Sequence, residues 1–236
     1  MRPTFLRSRT GRSTSSPDYT GNLLQYLDPD STATSAADVD AALPAALGSE
    51  LTITTPAPAE DKDAVVVTKE TAQRWNLTSI ADLAAHSNEV KFGAPAEFQE
   101  RPPGGLPGLK AKYGLDITAD NFVPIADGGG PATVDALASG QITAADIFTT
   151  SPAIAQNGFV VLADPQNNFA AQNVVPVVRA TKSSDKLTRA LDALSAKLTT
   201  EELVALNDSV SGDAKTEPTA AAKQWVTDQG LDKPVS

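Results

Sequence analysis

The sequence lacks cysteine altogether and has one histidine, one methionine and few aromatics, 5% of 236 residues. Without cysteine the chain forms no disulfide, thiolate metal site, cysteine nucleophile or lipid-anchored cysteine of its own. The lone His86 has no second His or Cys to share a zinc with and no motif around a serine partner, so it reads as a surface residue at a helix end. No apolar run approaches the ~18 residues of a membrane span. The first residues carry arginine but not the apolar stretch of about 7–15 residues of a signal peptide, so no export address is expected in them. Basic charge is also scarce. The net charge is −10, and the four arginines of the first sixteen residues leave the remainder more acidic still. An acidic body argues against nucleic acid as a partner, because phosphate binding needs a basic face.

What is present is 41% apolar residues, enough for a core, in one large domain or two small ones. The pattern predicts a helix over 21–27, capped by Asp18 and ended near Pro29. SAADVDAALPAALG (35–48) reads as a helix with a weak point at Pro44. LTITTPAP (51–58) and AVVVTKE (64–70) read as β-branched strands. Strands and helices then alternate: a helix over 79–86, a strand over 90–95, a Gly/Pro loop over 101–108, a helix over 109–114. A strand over 122–127, a helix over 131–140 and strands over 144–150, 159–164 and 173–180 follow. Ser184 caps a helix with Leu187, Leu191, Leu194 and Leu198 on one face. Thr199 and Glu202 have capping-box spacing. A last helix lies within 217–230, with Pro218 early and Gly230 past its end. Alternation followed by a helical tail predicts an α/β fold with mostly parallel strands.

No catalytic constellation appears. Gly128, Gly129 and Gly130 follow a strand and invite a phosphate-loop reading, but Thr133 stands where the dinucleotide fingerprint needs glycine and the P-loop lysine is missing. A strand-to-helix turn is the simpler expectation. Glu60, Asp61 and Asp63 have the residue types of a metal cluster or acid/base pair, set against a solvated loop as the plainer reading. Tyr113 and Trp75 read as packing residues. Binding is therefore favoured over catalysis, with no cofactor and no metal. The chemistry-bearing residues at strand ends are Tyr19, Asn22, Asp61, Asp63, Arg101, Phe148, Thr149, Thr150, Gln172 and Asn173; ligands of open α/β sheets bind beyond such ends.

PDYTGNLLQYLD (17–28) resembles the "EYTGT" segment of substrate-binding proteins of glycine betaine/choline/carnitine ABC transporters. The resemblance continues through FGAPAEFQERPPGGLPGLKAKYGL and DGGGPATVDALASGQITAADIFTTSPAIAQNGFVVLADPQNNFAAQNVVPVV, over about residues 17 to 232, and looks like the actinobacterial branch. It implies a type II periplasmic-binding fold: two α/β lobes joined by a two-strand hinge, with a quaternary-amine or zwitterionic osmolyte in the cleft. Lobe one would comprise 17–63 with 174–236 and lobe two 64–173. The resemblance implies a monomer that docks on a membrane permease, anchored outside the cell as a lipoprotein or held in the periplasm. Carried over, Tyr19 matches a cage tyrosine, Asn22 stands at a carboxylate-binding position, Arg101 matches a carboxylate-binding arginine and Phe148 stands at a second cage position. Asp63 and Gln172 depart from the pattern, standing where aromatics usually complete the cage, which points to a more polar or less methylated ligand. The alternatives are a ligand-free remnant, sensor or scaffold of the same fold, and an enzyme on a two-lobed scaffold of the porphobilinogen deaminase type. That enzyme type would need a cofactor-bearing cysteine.

Family members carry a further strand–helix–strand unit before the YTG motif. Residues 1–16 therefore read as a non-native or disordered segment ahead of an incomplete lobe one. A change of reading frame just before Pro17 would account for it, and lowered stability is the expected consequence of an exposed sheet edge.

Overall fold

The computed structural model of the chain describes residues 14–233. Strand β1 (Ser15–Tyr19) runs directly into helix α1 (Thr20–Leu27). The segment 1–16 expected to be non-native thus gives Ser15 and Ser16 to β1, opposite Val178 and Val177; its first thirteen residues lie outside the described ones. Asp18 is not the cap of α1. It is a buried strand residue whose carboxylate accepts the N–H of Tyr19 at 2.9 Å, while the Thr20 N–H donates to the carbonyl of Asn173 at 3.0 Å.

Helix α2 (Ala36–Ala46) is capped by Ser35 and carries Pro44 in its last turn, where it removes one i→i−4 hydrogen bond close to the helix end. Strand β2 (Leu51–Ile53) is shorter than the run 51–58 predicts. Beyond it the chain still tracks a neighbouring strand, through Thr54 N–H to Pro176 O and Ala57 N–H to Val174 O, but Pro56 offers no donor to a regular ladder. Strand β3 (Val65–Val67) likewise ends early, because the Thr68 hydroxyl accepts from Thr71 N–H at 3.1 Å and starts helix α3 (Lys69–Trp75). Helix α4 (Ile80–Ala84) opens with a complete capping box of Ser79 and Asp82.

Strand β4 (Phe92–Ala94), helix α5 (Leu106–Tyr113), strand β5 (Phe122–Pro124), helix α6 (Pro131–Ala138) and strand β6 (Ala144–Asp146) follow. Helix α7 (Ala153–Gln156), strand β7 (Val160–Val161) and strand β8 (Val174–Arg179) lead to the helical end. There Ser184, Thr199 and Glu217 cap helices α8 (Asp185–Ser195), α9 (Thr200–Ser211) and α10 (Pro218–Asp228). The Glu202 carboxylate takes the indole N–H of Trp225 at 2.6 Å rather than returning to its own helix start, and so ties α9 to α10. The four leucines expected on one helix face are divided: Leu187, Leu191 and Leu194 are half-buried on α8, while Leu198 lies past its end and is buried.

The strands form two sheets, ordered β1-β8-β2 and β5-β4-β6-β3-β7. The expectation of mostly parallel strands is corrected. The three-stranded sheet is antiparallel throughout. In the five-stranded sheet β4 runs parallel to β5 and β6, while β3 runs antiparallel to β6 and β7. Parallel pairing needs a helical crossover, which α5 and α6 supply to β4, β5 and β6.

The chain separates into two compact units. The first holds the described residues through Asp61 and those from Ala170 onward; the second is Lys62–Phe169. In the first, Leu23 and Leu24 of α1 and Val39 and Leu43 of α2 pack on Val175 and Val177 of β8. In the second, successive residues of one strand serve opposite faces of the sheet. Val65 and Val67 join Phe92, Phe98 and Leu109, whereas Val66 joins Leu137, Ile142 and Ile147. Both faces of that sheet are therefore covered by helices, which leaves loops at strand ends to carry chemistry.

Candidate functional site

The ten candidate residues fall into two groups, one in each unit. In the first unit, Tyr19, Asn22, Asp61, Gln172 and Asn173 form one network. The Tyr19 hydroxyl donates to Asp61 Oδ2 at 3.0 Å. Asn22 N–H donates to Gln172 Oε1 and Gln172 Nε2 donates back to Asn22 Oδ1, both at 3.0 Å. Asp61 N–H donates to the Gln172 carbonyl at 3.1 Å. Asn173 N–H donates to the Thr20 hydroxyl at 3.1 Å, and its amide donates to Ala57 O at 3.0 Å. The glycine of the YTG triplet has a steric reason. A Cβ on Gly21 would lie 2.4 Å from the Ala171 carbonyl oxygen, so only glycine lets α1 start against the segment that leads into β8.

The position of Tyr19 has an electronic consequence. Burial, then the negative charge and hydrogen bond of Asp61, push its hydroxyl up to about 12. Tyr19 stays neutral across the physiological range, and its ring is held half-buried with a carboxylate at its far end. A ring face backed by negative charge attracts a cation.

In the second unit, Arg101 donates to Asp63 Oδ2 at 2.7 Å and to Gly104 O at 3.1 Å, and its guanidinium lies over Phe98 at 4.9 Å. Three contacts fix the guanidinium while the Arg101 side chain remains 39% exposed. Thr149 N–H donates to Lys62 O at 2.9 Å and its hydroxyl accepts from Lys62 N–H at 3.2 Å, which sets Phe148 and Thr149 beside the Asp63 segment. Phe148 is exposed and fills no core, whereas Thr150 is buried. The segment 60–63 is not the solvated loop its acidity suggests. Glu60 pairs with Asn173 as a β-bridge, Asp61 and Asp63 are engaged as above, and all of 60–63 is half-buried.

Among the described residues no group of His, Cys, Asp and Glu is arranged to hold a metal ion. His86 is not a plain surface residue. It stacks on Trp75 with ring centroids 4.3 Å apart and contacts Glu89 at 3.0 Å. Tyr113 packs with its hydroxyl donating to Asp164 and accepting from Gln166 N–H.

The triple glycine is a turn whose anion is supplied from within the chain. Gly129 has φ +80°, and a Cβ there would lie 3.0 Å from Ile147 Cα. The N–H groups at the start of α6 receive Asp127: Ala132 N–H at 2.7 Å, Thr133 N–H at 3.2 Å and the Thr133 hydroxyl at 2.5 Å. Burial acts to raise the Asp127 carboxyl, but these bonds outweigh it and hold it below the ordinary range. Its stabilisation is thus present above the unfolded carboxylate pKa and is lost as pH falls through the lower folded value. Asp127→Ala is expected to cost about 1 kcal/mol at neutral pH, measured by urea unfolding. The deficit should shrink below about pH 4.

Sequence reasoning missed one residue. Asp146 ends β6 inside the apolar run AADIF and is 5% exposed. An acid in the middle of a buried strand was the available signal. Among the described residues its Oδ1 has no hydrogen-bond partner, and burial, more than the charge of Asp63, holds its carboxyl well above the usual carboxylate range.

The model of the substrate-binding domain of ABC-type glycine betaine transport systems matches residues 3–228. The chain belongs to that family. It is a family of transporter substrate-binding domains and not an enzyme family. Over 164 residues the chain is 31% identical to the glycine betaine-binding protein YehZ of Escherichia coli (strain K12), covering 66% of this chain and 53% of the relative. It is 24% identical over 163 residues to the carnitine transport binding protein OpuCC of Listeria monocytogenes serotype 1/2a (strain 10403S), covering 68% and 51%. The match thus spans about half the length of these relatives. A solved glycine betaine/carnitine/choline ABC transporter protein superposes with a TM-score of 0.84 at 23% identity, over 96% of this chain and 82% of the other. That likeness establishes the periplasmic-binding-protein type of α/β fold for this family member.

Proposed function

We propose that the chain is the solute-binding component of an ABC importer and takes a small quaternary-ammonium or zwitterionic osmolyte of the glycine betaine kind. It would work on the outer side of the membrane and deliver the ligand to a permease. No helix among the described residues is long and apolar enough to cross a membrane.

The observation that carries the reading is Tyr19 held by Asp61 in a chain of this family. A neutral ring with a carboxylate at its hydroxyl suits a cation that cannot donate a hydrogen bond. Arg101, fixed on Asp63 yet partly exposed, suits the carboxylate of a zwitterion. Phe148 offers an exposed ring in the second unit. Asn22, Gln172 and Asn173 supply polar groups in the first unit, and Thr149 supplies one in the second. The polar residues Asp63 and Gln172 at positions where the family has aromatics favour a ligand with fewer methyl groups than glycine betaine as the second reading.

A thermal-shift panel of glycine betaine, choline, carnitine and dimethylglycine tests the proposal. A ligand at ~100 times its dissociation constant adds ~2.7 kcal/mol to the native state, which raises the melting temperature by several degrees. If none of the four moves the melt of cooperatively folded protein, the proposal fails.

A further inference from the structure

The second unit holds a buried amide outside the two site groups. Asn168 is 1% exposed, and among the described residues neither its Oδ1 nor its Nδ2 has a hydrogen-bond partner. An unpaired buried amide costs a fold more than an apolar side chain of similar shape in its place. Stability therefore does not explain Asn168, and its contacts point elsewhere. The segment that carries it is tied to the end of α5. Asp164 accepts from the Tyr113 hydroxyl and from the N–H groups of Asn168 and Phe169, the latter two at 2.8 and 2.9 Å. Lys112 Nζ donates to the carbonyls of Gln166 and Asn167 at 3.0 and 2.7 Å. Held in this way, Asn168 meets the first turn of the same helix. A Cβ on Gly108 would lie 2.3 Å from Asn168 Oδ1, and one on Gly104 would lie 3.5 Å from the Asn168 carbonyl oxygen. Gly108 does not have a positive φ, so its reason is this close approach.

Both glycines belong to the loop and helix start that carry Arg101. Gly104 O accepts from Arg101 Nη2 at 3.1 Å, and Gly105 N–H donates to Arg101 O at 2.9 Å. The loop has no slack: a Cβ on Gly105 would lie 2.3 Å from Phe98 O and 2.6 Å from Arg101 O. A second path runs through rings. Phe169, next to Asn168, lies 6.2 Å from Phe98 between ring centroids, and Phe98 lies under the Arg101 guanidinium at 4.9 Å. We propose that Asn168 is a positioning residue: its amide abuts Gly108 while its carbonyl backs Gly104, which sets the Arg101 guanidinium to take a ligand carboxylate and so favours a zwitterion over a plain cation. The proposal rests on the reading of Arg101 as the partner of a ligand carboxylate.

The consequence is selective. Binding groups work only when neighbours hold them to within about 0.5 Å, so a small change of shape at Asn168 reaches the ligand. Asn168→Leu removes the unpaired amide and puts a bulkier methyl where Oδ1 abuts Gly108. Its urea unfolding midpoint should not fall, yet its glycine betaine affinity should drop about tenfold, an ordinary coupling between residues in contact. Choline has no carboxylate, and its affinity should change by less than about threefold. Gly108→Ala presses on the amide from the other side and should divide the two ligands in the same way. Asn168→Ala removes the three atoms nearest that new Cβ. Combined with Gly108→Ala, it should bring glycine betaine affinity back to within about threefold of wild type.

The test is calorimetric titration of glycine betaine and choline into the full chain as wild type, Asn168→Leu, Gly108→Ala and the double variant Gly108→Ala/Asn168→Ala. It is joined to ¹⁵N NMR of the Arg101 Nε–H in the ligand-free proteins, the signal being assigned by its absence from Arg101→Lys. The expected result is weakened glycine betaine binding alone in both single variants and recovery in the double variant. The Arg101 signal should move in the single variants and return toward its wild-type position in the double one. Unchanged glycine betaine affinity, equal weakening of both ligands, or an Arg101 signal unmoved in both single variants overturns the proposal. Should Asn168→Leu not fold, Gly108→Ala, which keeps the amide, decides alone. If neither ligand binds wild type, the functional reading has failed, and the NMR comparison still decides whether Asn168 positions Arg101.

Discussion

Replacing Tyr19 by Ala is expected to weaken quaternary-ammonium binding by about a hundredfold or more, close to 2.7 kcal/mol. Two contributions combine. The ring face attracts a desolvated cation by up to about 2 kcal/mol, and truncation leaves Asp61 without the hydroxyl that donates to it. Tyr19→Phe separates them. It keeps the ring and removes only the hydrogen bond, so the loss should be a few-fold. Equal losses in the two variants would assign the role to the hydroxyl and not to the ring. Tyr19 lies at the end of β1, opposite Val174, so a fold control is needed; unchanged urea unfolding of Tyr19→Phe supplies it.

Replacing Arg101 by Ala should divide ligands by their anionic end. Glycine betaine and carnitine are expected to lose about a hundredfold, while choline changes by less than about threefold, because a charge-assisted pair is lost only where a carboxylate exists. Arg101→Lys should recover only part of the loss. A lysine supplies the charge, but it lacks the planar guanidinium that lies over Phe98 while its Nη2 reaches both Asp63 and Gly104. Isothermal calorimetry of each ligand with wild type and the two variants decides this. A loss for choline as large as that for glycine betaine would show that Arg101 acts through the fold of its loop.

Local signals carried most of what the sequence reveals. Ser184 and Thr199 are readable as caps because a cap needs only three or four residues to be recognised. The family resemblance over the YTG and FTT segments marked both site groups. What stayed hidden is non-local. The antiparallel placement of β8 between β1 and β2 depends on where the chain returns, which no window of residues contains. Strand lengths were overestimated wherever a competing local bond took over, as at Thr68. The segment 60–63 looked solvated because its composition is acidic, yet each acid there has a partner distant in sequence. Asp146 was passed over because an isolated acid in a strand has no motif; only the burial that the fold imposes on it marks it out.

The central claim is that this chain binds a small quaternary-ammonium solute. It is tested most directly by equilibrium titration of glycine betaine and choline into the full, cooperatively folded chain, read by calorimetry. The expected result is saturable one-to-one binding of at least one of them that Tyr19→Ala removes. Absence of binding by both, or binding that survives Tyr19→Ala unchanged, would contradict it.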